Sequence, residues 1–190
     1  MSGTSLPMTQ LSQSTARYSG VAIALHWLIA VLIAINFVAA WIADLFPKPQ
    51  ATQIMANHKA FGITILLLSL VRLAWRLGHR PPADLPMQRW ESKLAHMVHR
   101  LLYALMIGIP LVGWVMISLY SGGKPVSVFG LFGFPGLPLA ANHPLGETFA
   151  EIHGSLAIGM LVLLGLHLAG ALKHQILERK PELRRILPWG

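Results

Sequence analysis

Nine histidines and no cysteine set the chemistry open to this 190-residue chain. Without thiols there are no disulfides, no thiolate-bound zinc or iron–sulfur cluster, no covalently attached c-type haem and no thiol catalysis. Imidazole remains, as a metal ligand, a hydrogen-bonding group or a proton carrier near neutral pH. Four of the nine, His26, His58, His153 and His167, lie in or at the edge of long apolar stretches. A polar ring is costly there without a partner, so each is a functional candidate. His153 and His167 are 14 residues apart. On a helix that spacing returns to the same face within about 40° and spans roughly 21 Å along the axis.

The elements that must position these rings follow from composition. The chain is 54% hydrophobic and only 12% charged, with a mean hydropathy of +0.57. A soluble fold of this size cannot hide that much apolar surface. The sequence therefore predicts an all-α transmembrane four-helix bundle, with spans near 21–43, 58–77, 101–123 and 152–172. Residues 1–16 carry no charge and read as a disordered polar tail ahead of a membrane domain over 17–190. They lack the basic start of a signal peptide. Arg72 interrupts the second span and reads as snorkelling to the near headgroups, the alternative being an internal arginine paired with a buried anion. Pro110 is expected to kink the third span. The connector 124–147 is rich in Gly, Pro and apolar residues, and reads either as a lid on the membrane surface or as a loop dipping into the headgroups. With both termini in the cytoplasm, 12 of the 15 Lys and Arg residues fall on that side and 3 (Lys48, Lys59, Lys124) outside, which satisfies the positive-inside rule. A net charge of +8 in such a chain points to phospholipid contact rather than nucleic acid.

Depth then sorts the histidines. His26 lies near the inner start of the first span and His58 at the outer start of the second, while His153 and His167 occupy the outer and inner parts of the fourth. The pairs are His26 with His167 and His58 with His153. Two stacked pairs of imidazoles inside an apolar bundle suit two non-covalent b-type haems, each held by two histidines as axial iron ligands. Small residues near the rings (Ala22, Ala30, Gly62, Gly154, Gly159, Gly170) leave room for a flat macrocycle, or simply let helices pack closely. The rival is a histidine-rich metal-ion transporter. It wants carboxylates near the bilayer midplane, and no span has an Asp or Glu in its interior.

The stretches RYSGVAIALHWLIA, NHKAFGITILLLSLVRLAWR, AHMVHRLLYALMIGIPLVGWVM and EIHGSLAIGMLVLLGLHLAGALKH resemble, in order, the four helices of the bacterial cytochrome b561 family. The resemblance covers roughly residues 17–190. It implies a dihaem cytochrome of the inner membrane with His26, His58, His153 and His167 as the axial ligands.

With both axial positions filled, each iron would take part in outer-sphere electron transfer. A lipid-soluble quinone, ubiquinone in particular, is the expected acceptor, and quinone reduction needs protons. His99 and His174, at the cytoplasmic ends of the third and fourth spans, are the candidate quinone ligands, with His96 behind them. Otherwise they are interfacial histidines or partners of haem propionates. His79 and His143 read as solvated. The resemblance also implies an oxidoreductase activity, since some family members look like superoxide oxidases that pass an electron from external superoxide to ubiquinone. Lys48, Lys59 and Lys124 can attract such an anion. The alternative is an electron-transfer subunit serving a periplasmic dehydrogenase or other redox protein. A non-redox assembly protein is disfavoured by the histidine geometry.

Overall fold

Three of the four long helices in this chain start at polar capping residues and the other follows a proline, Pro47. The computed structural model describes residues 17–178 and 183–189, so the tail expected over 1–16 lies outside the described residues. Four long helices follow one another: α1 Gly20–Ile42, α2 Lys48–Gly78, α3 Arg89–Ser121 and α4 His143–Leu172. All four are long and apolar enough to cross a membrane. The last three begin well before the apolar spans read from the sequence. Hydropathy marks only the lipid-crossing part of a helix, whereas a cap sets its true start.

Those caps are explicit. The Ser19 hydroxyl accepts a hydrogen bond from the Ala22 amide at 3.3 Å. Gln88 and Glu91 form a reciprocal capping box at the start of α3, with the Gln88 amide donating to the Glu91 carboxylate at 3.3 Å. Asn142 accepts from the Leu145 amide at 3.1 Å and starts α4 inside the stretch read as connector. Gly122, at φ +63°, ends α3 in a left-handed conformation that suits glycine. α3 runs on through Pro110, and a wide π-type turn, Lys173–Leu177, prolongs α4.

Between α3 and α4 the apolar connector folds back on the bundle as a small hairpin, β1 Val126–Val128 antiparallel to β2 Phe132–Phe134. Val128 packs with Ala60 and Ile63 of α2, and Phe129 meets Phe61 edge-on at 5.0 Å. Trp114 donates to the Pro135 carbonyl at 2.9 Å, and the fully buried Ser118 hydroxyl accepts from the Leu137 amide at 3.0 Å. The chain can cross itself here only because Gly123 and Gly136 face each other: a Cβ on Gly136 would collide with the Gly123 backbone.

The opposite end of the bundle carries both ends of the described chain. The Tyr18 amide donates to the Arg185 carbonyl at 3.2 Å, the Trp27 indole to Ile186 at 2.8 Å, and buried Arg185 to the Ala83 carbonyl at 2.7 Å. The two ends are therefore distinguished below as the terminal end and the connector end.

The core lies midway between them. Ile29, Ile33, Ile65, Val98, Leu102 and Met160 form one buried cluster, with Met106 packed against it. Lipid tails are as apolar as these side chains, so the cluster holds through close packing more than through exclusion of water. Its position matters for function. Ile65 lies seven residues after His58, and Met160 lies seven residues from both His153 and His167. Two helical turns take about seven residues. The cluster is thus an apolar partition between two levels of histidines.

Candidate functional site

A seven-residue rhythm on four helices places the polar groups. At the terminal end, His26 of α1, Arg72 of α2, His99 of α3 and His167 of α4 share one level. The partition takes Ile33, Ile65, Met106 and Met160, each seven residues away on its own helix. A further seven residues along, His58, Gly113 and His153 mark the connector-end level. The sequence reading used the 14-residue spacing on the fourth helix alone; the same register holds α2 and α3.

The depth pairing is what the bundle brings together. The ring centres of His26 and His167 are 6.3 Å apart, and those of His58 and His153 are 6.2 Å apart. Two imidazoles that share one metal ion at about 2.0–2.1 Å each should have centres about 6.2–6.4 Å apart, because each centre lies roughly 1.1 Å behind its ligating nitrogen. Both pairs match that spacing. At the connector end the other ring nitrogens are also fixed. His58 Nδ1 meets the Asn36 carbonyl at 3.2 Å, and His153 Nδ1 meets the Ile109 carbonyl at 3.1 Å. A carbonyl only accepts, so each Nδ1 carries the proton, which leaves each Nε2 with a free lone pair able to ligate a metal.

Among the described residues no three His, Asp or Glu side chains converge as a metal-ion cage. Two facing imidazoles with no third side-chain ligand fit haem, whose tetrapyrrole would supply the remaining nitrogen ligands while His26 with His167 and His58 with His153 would hold the iron. The small residues do not discriminate: a Cβ added at Gly62, Gly154, Gly159 or Gly170 would meet no atom within 4 Å, but the same holds at Gly20 and Gly78, and Gly154 and Gly159 are exposed. Gly113 behaves differently, because its Cβ would press on the His153 ring at 3.1 Å. Nothing in the sequence marked its role.

The remaining histidines separate. The His99 ring lies 5.2 Å from that of His167, edge-on, so it belongs to the terminal-end level. His174 turns to Glu178, with Nδ1 to carboxylate at 3.0 Å. Lys173 pairs with both Glu178, at 3.1 Å, and Glu91. Neither glutamate was singled out from the sequence, because each stood in a charged flank with nothing local to mark it. His96 faces away from the levels, 3.4 Å from Asp84 on an exposed surface. His79 stacks on Trp75 at 3.7 Å and is exposed. His143 is an exposed residue in the first turn of α4, 5.6 Å from the Tyr120 ring. Arg72 does not simply run out along its own helix. Its Nε donates to the Tyr103 hydroxyl of α3 at 2.9 Å.

Comparison with known proteins adds an independent line. The sequence model of the family described as prokaryotic cytochrome b561 matches residues 17–189. "Cytochrome b561 homolog 2" of Escherichia coli (strain K12) is 30% identical over 174 residues, covering 90% of this chain and 91% of that protein. "Probable superoxide oxidase CybB" of Yersinia pestis is 30% identical over 175 residues, covering 90% and 96%. "Cytochrome b561 homolog 1" of E. coli is 27% identical over 176 residues, covering 90% and 97%.

Proposed function

Because this chain belongs to the prokaryotic cytochrome b561 family, we propose that it holds two b-type haems, one per histidine pair, and links an electron donor outside the membrane to quinone inside it. Family membership makes the chain a multi-pass protein of the bacterial inner membrane that binds b-type haem and transfers electrons. The observation that supports the finer reading is the repeated spacing of 6.3 and 6.2 Å between facing imidazole centres, on either side of one apolar partition. His26 and His167 would hold the terminal-end haem, and His58 and His153 the connector-end haem. When bound, the haems supply one-electron redox chemistry.

The chain's own residues define the two faces. The terminal end is assigned to the cytoplasm, because 12 of 15 Lys and Arg residues belong to that side. There His99 and His174 hold protons at Nδ1 or Nε2 for quinone, and Glu178 orients the His174 ring. At the connector end Lys48, Lys59 and Lys124 favour the approach of a small anion. The superoxide oxidase name of the Y. pestis relative extends to this chain on that ground. The balance is two superoxide ions, each losing one electron to become dioxygen, against one ubiquinone gaining two electrons and two protons to become ubiquinol. The phospholipid around the bundle carries the quinone.

A second reading has one observation of its own. The hairpin exposes Leu131, at 81%, and Phe132 at the connector end, an apolar tip on which a periplasmic dehydrogenase or other redox protein can dock. The deciding experiment feeds purified protein from a steady superoxide source with ubiquinone present. Haem reduction and quinol formation in step with superoxide loss support the first reading. Haem that superoxide does not reduce, but a co-purified redox partner does, supports the second.

A further inference from the structure

Two guanidinium groups converge on one phenol in the terminal half of the bundle. Arg72 donates from Nε to the Tyr103 hydroxyl at 2.9 Å, and the guanidinium carbons of Arg72 and Arg76 lie 5.5 and 5.8 Å from the Tyr103 ring centre. The phenol satisfies one donor and neutralises no charge. The acidic residues of the four helices are Glu91, already paired with Lys173, and Glu147 and Glu151 at the far end of α4. Among the described residues neither arginine forms an ion pair. Both are in cation–π contact with the ring, but a cation at membrane depth normally also has a counter-charge, and the described residues supply none.

The register says where a counter-charge would sit. Arg72 follows His58 by 14 residues on α2, as His167 follows His153 on α4. Each helix returns to the same face within about 40° over that distance. Arg72 therefore stands at the level of His26, His99 and His167, where α2 contributes no histidine. Tyr103, which holds Arg72, lies one turn along α3 from His99, whose ring meets that of His167 at 5.2 Å.

We infer that Arg72, positioned by Tyr103, binds a carboxylate of the terminal-end haem and thereby sets that haem's potential apart from its partner's. This rests on the dihaem reading above. Arg72 is a positioning and tuning residue, not an axial ligand. The same donors also suit a phospholipid phosphate, which is the competing source of an anionic oxygen.

The test uses full-length protein purified with its haems. Redox titration resolves the two haems, and loss of one in His167→Ala identifies the terminal-end haem. Removing a positive charge beside a haem favours the ferric state. Arg72→Gln should therefore lower the reduced-to-oxidised ratio of that haem about tenfold at fixed potential, a shift of roughly 59 mV for one electron. The other haem should be unchanged, and Arg72→Lys should restore most of the shift. In infrared redox difference spectra, haem carrying ¹³C-labelled propionates should give carboxylate bands that move in Arg72→Gln. Should Arg72→Gln lose haem altogether, Tyr103→Phe, which removes the hydroxyl that holds Arg72, must shift the same potential in the same direction. Unchanged potentials, an equal shift in both haems, or unmoved propionate bands overturn the inference. Lipid phosphate bands that move in Arg72→Gln while the labelled propionate bands stay fixed assign the site to phosphate and also overturn it. Wild-type protein with fewer than two low-spin haems refutes the dihaem reading itself, a result distinguishable from all of these.

Discussion

Gly113→Ala probes the connector-end site through one added methyl group. The new Cβ would lie 3.1 Å from His153 Cε1 and 3.2 Å from Nδ1, inside the 3.4 Å at which ordinary contact begins. The ring must yield by a few tenths of an ångström, away from α3. The Ile109 carbonyl that holds Nδ1 is also on α3, so the same movement stretches a bond that already measures 3.1 Å. Hydrogen bonds of this kind rarely exceed about 3.2 Å, so this one is lost or badly weakened. Its net contribution is about 1 kcal/mol. Loss of an outer-sphere partner to a metal-binding histidine typically lowers metal affinity 10–100-fold. Transfer of haem to excess apomyoglobin should thus become at least tenfold faster for one haem of the two, with a changed low-spin signal in electron paramagnetic resonance. Gly108→Ala is the control, because a Cβ there meets nothing within 4 Å. Both substitutions gain the same helix propensity, up to about 1 kcal/mol, so their difference isolates the histidine contact. If Gly113→Ala releases haem at the wild-type rate and keeps both low-spin signals, the Ile109 bond does not support the site and the assignment of His153 is in error.

Removing a proposed ligand outright should separate the levels: His58→Ala or His153→Ala should leave one low-spin haem per chain by pyridine haemochrome assay, and His26→Ala or His167→Ala should leave the other. Reporter fusions after Leu85 and Trp189 should behave as cytoplasmic and fusions within 124–142 as external; a cytoplasmic signal from the hairpin reverses the assigned faces. In stopped-flow experiments His99→Phe and His174→Phe should leave haem reduction from outside nearly intact and slow reoxidation by quinone severalfold. Unchanged reoxidation in the double variant removes the quinone site from the terminal end. Glu178→Gln, which takes the carboxylate from His174, should slow the same half-reaction by a smaller factor.

Much of this protein was legible along the chain, because a membrane imposes its period on the sequence. Each crossing needs about 20 apolar residues, so the four helices, their order and their unequal loop charges can be read without a fold. The depth of a residue in a crossing helix is also a linear quantity. His26, His58, His153 and His167 could therefore be sorted into levels by counting, and the bundle brings together the same pairs. Contacts between helices are not linear in this way. Which carbonyl fixes a ring, that Gly113 abuts His153, and that Tyr103 draws in Arg72 all depend on the rotation of one helix against another. That rotation is set by packing around Ile33, Ile65 and Met160, and no local signal encodes it. The true starts of α2, α3 and α4 were missed for a related reason. Those of α3 and α4 rest on capping side chains in polar flanks, and that of α2 follows Pro47 with Pro49 in its first turn, where hydropathy carries no information. The apolar connector is the clearest case. Its composition suits lid, loop or strand alike, and only the surface of α2 beneath it, with Phe61 and Ile63 to cover, makes it a hairpin.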